Sequence, residues 1–212
     1  VGSEMCIRDS YRKTDYGSFN IAAYNTDSYG GNVTFKLPIS EIEQLGLSLE
    51  FDNTKLNTNL YRSRQLQDFY NSEGFNFDTI TAAISWAEIT LDRGMFPTNG
   101  MSNTISLNFT LPGSNLNYGR FIHDLKLFRP LPLGLIFGYR SRIGALFTYG
   151  DTETAPPYQH FYAGGMRSVR GFKQNYLGPK ASYNTGFGPS YPRPIGGTYS
   201  LTGGLDLIIP LN

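Results

Sequence analysis

Cysteine is nearly absent: the 212 residues contain one, Cys6. A single thiol builds neither a disulfide framework nor a cysteine metal cluster. Histidine is almost as scarce. His123 and His160 have no ligand-type neighbours at metal-binding spacing, so no metal and no cofactor is expected. No run of about 18 apolar residues occurs, so no helix is expected to cross a membrane. Charge is short as well. Asp, Glu, Lys and Arg make up 17% of the chain, against about 25% in soluble domains. The formal net charge is +1, which argues against a nucleic-acid binder held by phosphate neutralisation. Arg167, Arg170 and Lys173 are too small a basic cluster to change that. Gly164, Gly165 and Gly171 lead into no Gly-Lys-Ser/Thr and no helix start, so they are not a phosphate loop. No Ser/His/Asp set stands in a strand–turn–helix context, so a hydrolase is not expected. The chain reads as a protein that is not an enzyme.

What the chain has in quantity is aromatics (15%) and glycine (24 residues), yet its mean hydropathy is −0.30. Low charge, many aromatics and overall hydrophilicity fit a transmembrane β-barrel, in which only alternate residues face lipid. The pattern along the chain agrees. From Tyr29 to Ile39 the odd positions Tyr29, Val33, Phe35, Leu37 and Ile39 alternate with Asn32, Thr34 and Lys36. Leu45, Leu47, Leu49 and Phe51 alternate with Ser48, Glu50 and Asp52. The same period of two recurs through Ile105–Leu111, Leu135–Phe147 and Tyr199–Ile209. Tyr118–Arg129 sets Phe121, Leu125 and Leu127 against Asp124 and Lys126. Thr79–Leu91 changes phase near Trp86, which suggests a bulge. This makes seven full strands and a partial one near Tyr11–Tyr16. A soluble β-sandwich also alternates, but several strands here run to about 10 residues or more, above the usual ~5–6. Tyrosines at strand ends (Tyr29, Tyr118, Tyr139, Tyr149, Tyr199) read as interface girdles. The expectation is an all-β chain: about seven to eight strands of a larger, antiparallel up-and-down barrel, open as it stands.

Val1–Ser10 lacks the basic start and apolar centre of a signal peptide. It reads as an adaptor-like, non-native tail and is set outside the fold, leaving residues 11–212 as the barrel domain. Both ends read as cut, with strands expected beyond each. Connectors alternate short and long, except that Pro112–Asn117 is a short link where a long one is expected. Leu91–Gly94 is then a periplasmic turn, and the longest connector, Tyr149–Gly197, starts outside.

That connector is too long for an ordinary loop and too aromatic for a linker. Phe161, Tyr162, Val169, Phe172, Tyr176, Leu177 and Tyr183 call for burial, while Gly164, Gly165 and Gly171 permit tight turns. Such a segment is expected to tuck into the lumen at 150–197. Arg170 cannot shed its charge, so inside a lumen it needs acceptors. Asp206 has inward parity, opposite to Leu205 and Leu207, and is the expected partner. The alternatives are a solvated Arg170 and an unpaired Asp206.

Three segments in this loop, Phe161-Tyr-Ala-Gly-Gly165, Val169-Arg-Gly-Phe172 and Leu177-Gly-Pro-Lys-Ala181, resemble the inward loop of the Omp-85-type (bacterial surface antigen D15) superfamily of outer-membrane barrels. Leu91-Asp-Arg-Gly94, Phe96-Pro-Thr-Asn-Gly100 and Leu111-Pro-Gly-Ser114 resemble its turns in the same order. These extra matches favour its assembly factors over its two-partner-secretion or TamA-type translocators, and over a passive porin. The resemblance implies a Gram-negative outer-membrane insertase, with POTRA domains preceding the barrel. Its partners would be outer-membrane lipid, unfolded outer-membrane client proteins and accessory lipoproteins. It also implies that Arg170, in the Val169–Phe172 motif, pairs with Asp206.

Overall fold

The computed structural model describes residues 3–15, 21, 24–58, 63–183 and 193–210. Eight strands follow one another: β1 (Glu4–Asp15), β2 (Tyr24–Pro38), β3 (Glu43–Thr58), β4 (Asn76–Ile89), β5 (Gly100–Thr110), β6 (Tyr118–Pro130), β7 (Ile136–Thr148) and β8 (Tyr199–Ile208). They form one antiparallel sheet in chain order, each strand paired with the next. One short helix, α1 (Arg64–Ser72), interrupts the link between β3 and β4.

Register carries the alternation across the whole sheet. Val33 faces Leu49, Leu47 faces Ile84, Ile84 faces Leu107, Leu107 faces Phe121, Phe121 faces Ala145, and Ile143 faces Leu201. One face therefore bears Phe35, Leu49, Phe51, Ile105, Phe109, Phe147, Leu201 and Leu205, all exposed. The other bears Ser48, Thr104, Arg120, Asp124, Arg140, Arg142 and Asp206. A soluble sheet would bury the apolar face. Here it is bare while the polar face is the one covered, which is the arrangement lipid demands.

Several elements differ from the sequence expectations. The β3–β4 and β4–β5 ladders advance residue for residue, Leu45 opposite Trp86 and Trp86 opposite Ile105, so β4 has no bulge. The apparent phase change comes from small residues: Ala82 and Trp86 share the outer face with Ile84, while Ala83, Ser85 and Ala87 line the inner one. Tyr118 is not a girdle residue. Its parity is inward and it is buried, whereas Tyr29, Tyr139 and Tyr199 are outward. Residues 4–10, set aside as a tail, lie in β1, with Met5 across from Phe35 and Ile7 across from Val33. An edge strand is held by main-chain bonds that any non-proline sequence can supply, so composition was a poor guide to pairing. Tyr16, the far end of the expected partial strand, lies outside the described residues.

Helix α1 also departs from an all-strand reading. Ser63 caps it, its hydroxyl accepting from the Leu66 amide. Leu66 and Phe69, one turn apart, are buried. They join Tyr24, Leu56, Phe77, Leu116, Tyr118 and Leu146 in an apolar cluster at the long-loop end of the sheet, on its inner face. Ala155, Ala181 and Ile195 of the β7–β8 loop complete it.

Candidate functional site

The loop between β7 and β8 lies over the inner wall and is fixed in stages. At its root, Tyr149 donates its amide to the Asn117 carbonyl at 3.1 Å, and the Thr152 hydroxyl accepts from the Asn117 amide at 2.8 Å. Phe161 and Gly197 exchange two backbone bonds, of 2.9 and 3.0 Å. The Phe161 ring then fills the notch over Gly144 in β7: a Cβ on that glycine would stand 2.6 Å from the ring. From the other side the Arg120 guanidinium covers the same ring, 4.7 Å from its centroid. Close backbone approach and cation–π attraction thus hold one aromatic against the wall.

Farther along, the loop is stitched to itself. The Leu177 amide donates to Ala163 (3.0 Å), Ala181 to Arg193 (2.7 Å) and Ile195 to Pro179 (3.0 Å). His160 Nδ1 lies 2.9 Å from the Ile195 carbonyl, so that nitrogen carries the proton. Burial of His160 holds its pKa below the ordinary value. The Tyr162 hydroxyl donates to the same carbonyl at 3.0 Å. Helix α1 braces the far side: the Arg64 amide donates to the Ser182 carbonyl at 2.7 Å, the Ser182 amide to Gln65 Oε1 at 3.1 Å, and Glu73 Oε1 accepts from the Glu153 amide at 3.0 Å.

The tip holds the Val169-Arg-Gly-Phe172 motif. Gly164 and Gly165 turn the chain with φ of 109° and 97°. A Cβ on Gly164 would strike the Lys173 carbonyl at 2.4 Å, so glycine is required there on two counts. The Gly165 amide donates to Val169, closing the turn at 3.1 Å. Gly171 also has a positive φ, 86°. Phe172 and Tyr176, expected to be buried, are exposed, and Val169 is half-buried. The loop's contacts with the apolar cluster are made by Tyr158, Phe161, Tyr162 and Tyr183 instead.

Arg170 is exposed too, against expectation: its side chain is 68% accessible, with its Nη1 3.5 Å from Asp206 Oδ1. The closer partner of Asp206 is Arg140 of β7, with Nη2 2.9 Å from Oδ2 and 3.2 Å from Oδ1. Asp206, at 29%, is the better shielded of the pair. One carboxylate thus receives two guanidinium groups, one from the wall and one from the loop. Arg140 and Arg142 both lie on the inner face of β7, opposite Lys126 and Asp124 of β6. The β7–β8 register makes the Arg140–Asp206 pair: with Gly138 opposite Asp206 and Arg140 opposite Gly204, Arg140 and Asp206 are diagonal neighbours on the inner face. Arg142 reaches Asp124 on β6, Nε to Oδ1 3.7 Å. Between wall and loop lies a chamber of about 910 Å³, its lining including Arg120, Asp124, Arg140 and Arg142 from the wall and Met166 and Arg167 from the loop. The expected loop ran through 184–192, which lie outside the described residues.

An antiparallel sheet with a bare apolar outer face, a charged inner face and a folded loop seated on that inner face is the wall of a transmembrane β-barrel with an internal loop. Among the described residues no helix is long and apolar enough to cross a membrane, and the strands supply the spans. The Omp85 superfamily domain matches residues 6–212, and the chain belongs to that superfamily of Gram-negative outer-membrane barrels. It is 26% identical over 202 residues to the outer membrane protein assembly factor BamA of Neisseria meningitidis serogroup B, covering 92% of this chain and 25% of that protein. It superposes with a TM-score of 0.90 and 29% identity on the crystal structure of BamA from Haemophilus ducreyi lacking POTRA domains 1–3, covering 99% of this chain and 42% of that one. The chain thus spans about a quarter of the length of the curated relative.

Proposed function

We propose that this chain is the wall-and-loop part of an outer-membrane insertase, which folds other outer-membrane proteins and inserts them into the lipid. The observation that supports this most is the seated loop, occurring in a chain that matches assembly-factor barrels along nearly its whole length. Nothing in the reading requires bond chemistry. Arg140, Arg142 and Arg120 are tied up with Asp206, Asp124 and Phe161, and Arg170 pins rather than reacts. The wall supplies a lipid-matched surface, and the loop lies over its inner face. Unfolded outer-membrane proteins are the clients, and accessory lipoproteins are the companions in an assembly complex.

The test uses the full-length protein in phospholipid vesicles, with an unfolded outer-membrane barrel protein added and its folding followed by heat-modifiable gel mobility. An insertase accelerates folding over protein-free vesicles. A large, steady single-channel conductance with no acceleration would point instead to a porin, and passage of one secreted partner into the vesicles to a translocator.

A further inference from the structure

The long-loop end of this wall holds a buried apolar cluster beside a few exposed side chains (Phe75, Met166, Phe172), whereas the turns of the other end have none of their large apolar side chains in it. At the long-loop end, Leu66, Phe69, Phe77 and Leu116 are fully buried. At the short-turn end every turn leaves large apolar side chains bare: Ile39 and Ile42 between β2 and β3, Met95 and Phe96 between β4 and β5, Leu131 and Leu133 between β6 and β7. Phe96 is 84% exposed and Leu133 96% exposed. Both have left-handed backbones, with φ of 52° and 65°, a conformation that is strained for a bulky residue. Glycine or asparagine would relieve it. The β4–β5 turn is nonetheless well built. Asp92 accepts from the Thr98 hydroxyl (2.6 Å), the Thr98 amide (2.9 Å) and the Asn99 amide (3.2 Å). An ordered turn thus leaves its apolar tip exposed.

We propose that these turn tips are a membrane-docking rim, seated in the headgroup and upper acyl layer of the phospholipid leaflet at the short-turn end. Two arguments select lipid as the occupant. First, the apolar parity of the outer face runs on past two strands: Leu37 continues to Ile39 after β2, and Leu127 continues to Leu131, whose amide donates to the Leu135 carbonyl at 2.7 Å, so the rim adjoins the lipid-facing surface there. Second, the lengths fit. β6 and β7 have 13 residues each. Such a strand tilted by about 40° rises about 34 Å, against an apolar band about 25 Å tall. The turns therefore begin in the headgroup zone, where exposed aromatic and aliphatic tips gain by partitioning. The rim fixes the depth of the wall in the leaflet, and the backbone cost at Phe96 and Leu133 is offset there.

The experiment places an environment-sensitive fluorophore at Phe96→Cys, Leu133→Cys and, as a control inside the lumen, Met166→Cys, in the full-length protein with Cys6→Ser. Each variant is reconstituted into phosphatidylethanolamine–phosphatidylglycerol vesicles. Quenchers are a phospholipid carrying a nitroxide near the top of its acyl chain and water-soluble iodide. The proposal expects the lipid nitroxide to quench the labels at 96 and 133 but not at 166, with iodide showing the reverse order. Iodide quenching at 96 and 133 as strong as at 166 would overturn it, placing the turns in water. Protection from both quenchers would overturn it as well, showing a protein domain over the rim. Folding of each variant is checked by heat-modifiable mobility. A labelled Met95→Cys replaces any variant that fails.

Discussion

Arg140 of β7 holds Asp206 of β8 at 2.9 Å, and Arg170 of the loop approaches the other oxygen of the same carboxylate at 3.5 Å. The wall pair is the tighter and the less exposed of the two. The motif arginine therefore joins an existing ion pair instead of creating one. In a double-mutant cycle on loop protection from trypsin, Arg140→Ala with Asp206→Ala should couple by about 1 kcal/mol, and Arg170→Ala with Asp206→Ala by less. A stronger coupling for Arg170 would contradict this order.

Gly144 is where the loop meets the wall most closely. Gly144→Val would drive its side chain into the Phe161 ring. Overpacking of this kind costs about 1–3 kcal/mol. Because β7 keeps its ladder, the cost should appear as loop release: faster cleavage at Arg167 and Arg170, with strand content by circular dichroism unchanged. Phe161→Ala should have the same effect without the clash, by removing the ring that Arg120 covers.

His160 carries a pH dependence. Its folded pKa is depressed by burial, so folding favours the neutral ring. Its contribution to stability is complete above the ordinary histidine pKa and is lost as pH falls from there through the lower folded value. Protease sensitivity of the loop should rise over that acidic window. His160→Gln should flatten the profile, and an unchanged profile would remove His160 as the cause.

Helix α1 is predicted to be a brace. Phe69 is fully buried, and Phe69→Ala should cost about 3–5 kcal/mol locally. Hydrogen exchange would register it at Ser182 as well as within 64–72, because the two segments share hydrogen bonds. Exchange confined to the helix would show that the brace is only a neighbour.

Most of the wall could be read directly from alternation, because lipid on one side and water on the other enforce a period of two at every strand. Asp206 was assigned to the inner face by parity alone. Where the reading failed, the deciding fact was three-dimensional. The β4 bulge was inferred from alanines that carry no face preference. Helix α1 was hidden because only Leu66 and Phe69 mark its buried side, and a nine-residue helix is too short for a clear period. Arg140 was missed because a diagonal pair needs the β7–β8 register, which the long intervening loop makes unreadable from spacing. The burial expected for Phe172 and Tyr176 followed from residue type, but the loop's contacts with the apolar cluster are made by Tyr158, Phe161, Tyr162 and Tyr183.

The stitching between α1 and Ser182, and between Glu73 and Glu153, ties strands β3 and β4 to the β7–β8 hairpin across the inner face, and it does so near one end only. The sheet resembles a basket laced at the mouth and left loose at the bottom. Lacing of this kind sets the distance between β3–β4 and β7–β8 at the long-loop end, so cutting those bonds is expected to let the two halves of the sheet splay there first.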